Sequence, residues 1–375
     1  RLTVISPGPT APYSGMLPGF VAGHYDRDAL DIDLVKLARF AGARVVLGAA
    51  TGLDPESRQV HVEGRPPVSF DVASVNVGIT SDMPDLAGFG EHAVPAKPLG
   101  PFAARWQDYL AGDTPAEVAV IGGGVAGAEL AMAMAFALRN KGRVAQVTLI
   151  DSATALSALG PRAARKLRQA IGDLGITLLE QAEVAAIHAD HVALQDGRKV
   201  ASTFTTGAAG ARPYRWLADS GLDTHEGYLS VDAFLRTSDP AVFAAGDCAH
   251  LTDDPRPKAG VYAVREAPVL LDNLCATLSG SGMKLRRYKP QKDYLKLMSM
   301  GGKSALGERS GLTFAGSLIW KWKDHIDQSF MNRFQDLTAM EVSDLPPVHA
   351  QGVEEALGDK PMCGGCGAKV GRAPA

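Results

Sequence analysis

The run VAVIGGGVAGAEL at 118–130 leaves this chain little choice of local fold. A β-rich segment, 118–121, passes straight into Gly122, Gly124 and Gly127 at G-x-G-x-x-G spacing, and then into AELAMAMAFALRN, which is dense in strong helix formers. The first glycine permits the turn, the second lets backbone approach a pyrophosphate, and the third lets the helix close on the strand. The helix start then offers unpaired N–H groups to phosphate oxygens. A second strand, QVTLID at 146–151, ends in Asp151, where a carboxylate can accept ribose hydroxyls. Ser152, Ala153 and Thr154 follow with no arginine for a 2′-phosphate, so NADH is expected in preference to NADPH.

The fingerprint begins about a third of the way along a chain of 375 residues, a length that implies two or three domains. A net charge of −3 provides no broad footprint for nucleic acid, and the basic cluster Lys284, Arg286, Arg287 and Lys289 reads as a solvated loop. Cys248, Cys275, Cys363 and Cys366 are too few and too clustered for a secreted disulfide framework, which favours a reducing, cytoplasmic setting. The apolar stretch LAMAMAFAL at 130–138 is too short to span a bilayer, so no membrane crossing is expected.

Other segments repeat the same layout. FDVASVNVGITSDMP at 70–84 and STFTTGAAGARP at 202–213 each lead a β-rich run into a glycine turn and a proline. GYLSVDAFLRTSDPAVFAAGDCAH at 227–250 reads as a strand, a loop, and a buried strand delivering Asp247 to a ligand. On these motifs the chain resembles the FAD-dependent pyridine nucleotide oxidoreductases, and within them the type II NADH dehydrogenase branch. The resemblance implies an α/β fold of two nested Rossmann-like dinucleotide-binding domains with a C-terminal α+β extension, and FAD and NADH as cofactors. It places Gly246 and Asp247 on the ribityl or pyrophosphate part of FAD, and Gly78 and Gly207 at turns between domains. RPKAGVYAVREA at 256–267 becomes the helix start under the flavin pyrimidine, with the N–H groups of Gly260 and Val261 facing a reduced flavin's negative charge. Tyr13, in APYSGMLPGF, falls in the loop beside the flavin, and Glu129 near the nicotinamide.

RLTVIS at the start reads as the second strand of a unit whose first strand, turn and helix lie before Arg1, so a fragment is expected. That strand ends in Ser6, where the family often has an acid for the FAD ribose, which puts FAD affinity in doubt. No cysteine precedes Cys248, so the paired cysteines of the family's disulfide reductases are absent and hydride is expected to pass from NADH to flavin and on to a small acceptor. In GSLIWKWKDHIDQSFMNRFQDL at 316–337, Ile319, Trp322, Ile326, Phe330, Phe334 and Leu337 fall at helical spacing, with Lys321, Lys323 and Asp324 elsewhere. The segment closes a core or, alternatively, rests on a membrane.

Residues 341–361 have a linker composition and lead to MCGGCGAKVGRAPA. Its C-x-x-C is half of a zinc site, a redox pair or the start of another domain; zinc needs two further ligands that no other such pair supplies, so no metal is expected. GGCGAKV resembles the N-terminal segment of selenide, water dikinase, which implies catalytic roles for Cys366 and Lys369 in a full-length fusion; the place two after Cys366, often a cysteine in that family, is Ala368. The expected organisation is an FAD-binding domain at 1–100 and 236–290, an NAD-binding domain at 101–235, an extension at 291–340, a linker at 341–361 and the dikinase start at 362–375. The expected acceptor is an oxidised selenium species or a quinone. A non-catalytic flavoprotein that regulates the dikinase is the rival of another class, and oligomeric state is not legible.

Overall fold

The G-x-G-x-x-G turn leaves the centre of a five-stranded, all-parallel sheet in the computed structural model, which describes residues 1–335 except 113, 114 and 281, together with 337 and 350–352. Across this sheet the order is Thr177–Leu179, Ala145–Ile150, Ala116–Ile121, Phe204–Gly207 and Ala93–Pro95. The last strand precedes the expected domain start at 101. Val118, Val120, Val147 and Leu149 are buried, as a parallel sheet covered on both faces requires. The helix Val125–Asn140 is buried around most of its circumference, because it lies between this sheet and the short helix Leu17–Val21. Its alanine-rich sequence allows that close packing.

The other nucleotide-type unit is built from two parallel pairs: Thr3–Ser6 with Arg44–Leu47, and Ala73–Val75 with Val242–Ala244. The two units meet at their connecting segments. Thr80 and Arg212 exchange both backbone hydrogen bonds, at 2.9 and 3.0 Å. Ser81 Oγ donates to the Gly207 carbonyl at 2.9 Å and accepts from the Lys97 N–H at 2.9 Å. Gly207 is required there, since a Cβ would lie 2.7 Å from the Phe89 ring.

A three-stranded antiparallel sheet, Lys296–Ser299, Ala305–Arg309 and Leu312–Gly316, leads into the helix Ser317–Gln335. This helix corrects the expectation for 316–337. Trp322 and Ile326 are 48% and 40% exposed, while Lys323, Asp327 and Met331 are buried. Lys323 Nζ donates to the Gly15 carbonyl and to Asp327 Oδ2, both at 2.6 Å, and Tyr13 Oη donates to Asp327 Oδ1 at 3.2 Å. Paired charges therefore take the inward face where apolar side chains were expected. Phe330 still packs on Tyr13, with ring centroids 4.7 Å apart.

Removing one partner of a buried ion pair leaves a bare charge, which costs about 3–5 kcal/mol, whereas replacing both by apolar groups is often near neutral. Chemical denaturation should show Lys323→Ala losing stability on that scale and the double variant Lys323→Met with Asp327→Leu regaining most of it.

Candidate functional site

The site has two regions: the fingerprint turn at the carboxyl edge of the parallel sheet, and the start of the helix Gly260–Ser279 against the loop around residues 13–16, with Glu129 of the fingerprint helix beside the charges that hold that loop. At the fingerprint, Gly122 adopts φ +111, and a Cβ on Gly127 would lie 1.9 Å from the Gly122 carbonyl oxygen. Only glycine lets helix and turn approach this closely. Gly124 is the N-cap and has no side-chain cap, so the first N–H groups of the helix are left for a ligand. No atom lies within 4 Å of where its Cβ would be, which leaves room for a phosphate. The residues fit a dinucleotide pyrophosphate.

Asp151 follows the second strand at the carboxyl edge of the sheet, where ligands of open parallel sheets bind. Its Oδ2 accepts from the Gly123 N–H at 2.5 Å and its Oδ1 from the Ala153 N–H at 2.7 Å. The acid thus belongs to the turn as well as facing the expected ribose position.

The helix Gly260–Ser279 also begins without a side-chain cap. A Cβ on Gly260 would be 3.9 Å from Ser14 Oγ, which sets this helix start, and Val261 with it, against the 13–16 loop. Nearby, Gly246 holds φ +74, where a Cβ would meet Asn76 Oδ1 at 2.8 Å, and its N–H donates to Glu266 Oε2 at 2.6 Å. Asp247 Oδ2 pairs with Lys97 Nζ at 3.1 Å. Exposed backbone, an uncapped helix start and a half-exposed lysine fit the polar and pyrimidine portions of a flavin nucleotide. Gly78, at φ +70, lies two residues before Thr80, which pairs with Arg212, and Ser6 ends its strand buried.

Glu129 sits one turn into the fingerprint helix and accepts the Ser299 N–H on Oε1 at 2.7 Å. Burial raises its carboxyl to about 7; the Lys323 ammonium and the Ser299 hydrogen bond oppose that rise, and Asp327 adds to it. Burial and the neighbouring Asp327 also hold Tyr13 protonated, well above the usual phenol range. Glu129, Lys323, Asp327 and Tyr13 form one ionisable cluster behind the 13–16 loop. Lys97, Lys323 and Asp327 were not identified from the sequence: each acts through a partner distant along the chain, and a Lys-x-x-x-Asp spacing reads as an ordinary surface pair.

Cys248 is buried, with its thiol donating to the Val75 and Ala245 carbonyls, and burial pushes it up to about 11. No reactive thiolate is available there. Cys366 and Lys369 lie outside the described residues.

The family described as pyridine nucleotide-disulphide oxidoreductase matches residues 1–267. A nitric oxide reductase FlRd-NAD(+) reductase of Aeromonas salmonicida is 36% identical over 211 residues, covering 53% of this chain and 50% of that protein. The protein of the same name from Citrobacter koseri is 32% identical over 199 residues, covering 50% and 49%. The chain therefore spans about half the length of these curated relatives. Among solved structures, the sulfide:quinone oxidoreductase of Aquifex aeolicus superposes with a TM-score of 0.72 at 16% identity, covering 90% of this chain and 86% of that one. NDH2 from Plasmodium falciparum in complex with NADH gives 0.73 at 13% identity, covering 90% and 94%. At such identities the likeness is one of fold.

Two outcomes separate scaffold from ligand contact. Gly127→Ala should lower the melting temperature by about 5 °C through overpacking. Gly124→Ala should leave melting unchanged and weaken NADH binding in a fluorescence titration. Glu129 supplies a third outcome. Its folded-state proton affinity exceeds the unfolded one, so its contribution to stability is full below about pH 4.5 and is lost as pH rises through about 7. Thermal melts from pH 5 to 8 should fall more steeply for the native protein than for Glu129→Gln.

Proposed function

The chain belongs to the pyridine nucleotide-disulphide oxidoreductase family, and from that premise we propose that it passes hydride from NADH to FAD and electrons on to a small acceptor. The observation that carries this reading is the meeting of an uncapped helix start at Gly260, the 13–16 loop and Glu129 behind it, beside a glycine turn built for a second nucleotide.

In this reading an FAD lobe at 1–100 and 236–290 encloses an NAD lobe at 101–235, with two adjustments at the boundaries: Ala93–Pro95 joins the NAD lobe's sheet and Tyr228–Val231 pairs with Ala249–Leu251 of the FAD lobe. Gly122 and Gly124 form the turn that receives the pyrophosphate of NADH, Gly127 lets the helix close on that turn, Asp151 holds the ribose, and Gly207 the turn that returns the chain to the other lobe. Ser6, Tyr13, Gly78, Gly246, Asp247, Gly260 and Val261 contribute to the FAD site. Bound FAD supplies a carrier that takes two electrons from NADH and releases them again. The Gly260 and Val261 N–H groups oppose negative charge at the helix start. With a pKa of about 7, Glu129 holds or yields a proton near neutral pH, and Oε2 is the oxygen left free by the Ser299 hydrogen bond. Lys323 and Asp327 keep the loop carrying Tyr13 in register with the last helix.

The acceptor divides into finer readings. Relatives named as reductases for a nitric oxide reductase component support a small redox protein. The tail GGCGAKV, with Cys366 and Lys369, supports an oxidised selenium species in a fusion with selenide, water dikinase. A quinone at a membrane surface is supported by a different feature. Leu312, Phe314, Leu318 and Trp322 are 60, 57, 76 and 48% exposed, running from an edge strand onto the last helix. No helix among the described residues is long and apolar enough to cross a membrane.

Anaerobic NADH should bleach the flavin absorbance of the purified protein; a spectrum that stays oxidised sinks the proposal in favour of a regulatory flavoprotein. Reoxidation with rubredoxin-type proteins, selenium oxyanions and short-chain quinones then ranks the acceptors, and co-sedimentation with anionic vesicles should occur only if the quinone reading holds.

A further inference from the structure

We infer that Arg168 and Glu180 are positioning residues of the pyridine nucleotide site, forming a clamp that shapes the 151–156 loop for NADH and keeps Arg168 from binding a 2′-phosphate. This rests on the reading that the 118–151 unit holds NADH.

Ile150 and Leu179 are paired in register on adjacent parallel strands, so Asp151 and Glu180 leave the same sheet edge side by side. Arg168 comes from the helix Pro161–Asp173, which buries Ala163, Leu167 and Ile171, packs beside the fingerprint helix and the edge strand Thr177–Leu179, and brings Arg168 to Glu180 at that edge. The guanidinium grips Glu180 with both arms: Nη1 to Oε2 at 2.8 Å and Nη2 to Oε1 at 2.6 Å. Nη2 also donates to the Ala155 carbonyl at 2.9 Å, while Glu180 Oε1 accepts the Ala155 N–H at 2.7 Å. The pair therefore holds Ala155 by its N–H and its carbonyl together. Beyond it, the Leu156 N–H donates to the Gly123 carbonyl at 2.8 Å, so the loop that starts at Asp151 is tied back to the fingerprint turn.

Two arguments point from this geometry to nucleotide selection. The side chains are 33% and 29% exposed, and ion pairs at such positions contribute only about 0–1 kcal/mol to folding, so stability is a weak reason for so exact a fork. Arginine is also the side chain that accepts a 2′-phosphate in this class of site. No arginine stands at 152–154, yet Arg168 reaches the same loop from another element, with both arms already taken by Glu180. NADPH would bring its phosphate to Asp151 and to an arginine already neutralised.

The test uses the FAD-loaded protein with ferricyanide as acceptor, varying NADH and NADPH, and checking flavin content and melting temperature in each variant. Glu180→Gln and Arg168→Met should both raise KM for NADH by about tenfold with kcat at saturation within about twofold. They should diverge on NADPH: Glu180→Gln, which frees the guanidinium, gains kcat/KM, and Arg168→Met does not. Fully flavinated variants with an unchanged KM for NADH overturn the clamp. Asp151→Ala distinguishes the two failures. If it raises KM while the clamp variants do not, the clamp is wrong and the nucleotide reading stands; if none of the three moves KM, both fall.

Discussion

The contact on which the rest of this structure depends is the approach of the fingerprint helix to the turn that precedes it. Gly127 sits where any side chain would collide with the Gly122 carbonyl, and that closeness aims the helix axis across the end of the central strand. From there the helix presents uncapped N–H groups at the sheet edge and buries a face of alanines, leucine and methionines against strands and the 17–21 helix. A wider separation would lose both the phosphate-facing geometry and the packing of the largest core cluster.

The two lobes still have to be held at one distance if their ligands are to meet. The connectors do so with backbone rather than with bulk: the Thr80 and Arg212 exchange, and Ser81 bridging Gly207 to Lys97. Backbone hydrogen bonds fix a register to within a fraction of an ångström, and the Gly207 position leaves no room for slippage past Phe89. Lys97 then carries the tie onward to Asp247, so one short segment touches both candidate nucleotide sites.

The last helix works by a different logic. Its inward face is a lysine and an aspartate, whose desolvation costs stability unless every hydrogen-bonding position finds a partner. The Gly15 carbonyl, Tyr13 and the pair itself supply those partners, so the cluster fixes one docking of this helix on the 13–16 loop. The same burial lifts the Glu129 carboxyl to about 7, which makes a proton available where the loop and helix start converge. The outward face keeps apolar side chains that a fully closed core would have absorbed.

What the sequence determined by itself was whatever lies within one strand, turn and helix: the glycine spacing, Asp151 at the end of the second strand, the helix beginning at Gly260, and the repetition that implies two nested units. Those features are local in kind: Gly127 answers to the Gly122 carbonyl five residues earlier, and strand, turn and helix follow one another along the chain. The tertiary structure alone decided which face of the last helix is buried, because helical spacing locates an apolar stripe but cannot show that a Lys-x-x-x-Asp pair will find Tyr13 and the Gly15 carbonyl some 300 residues away. It alone also joined Lys97 to Asp247 and Arg168 to Glu180. Electrostatic complementarity acts through space, and nothing in the residues flanking either partner records the identity of the other.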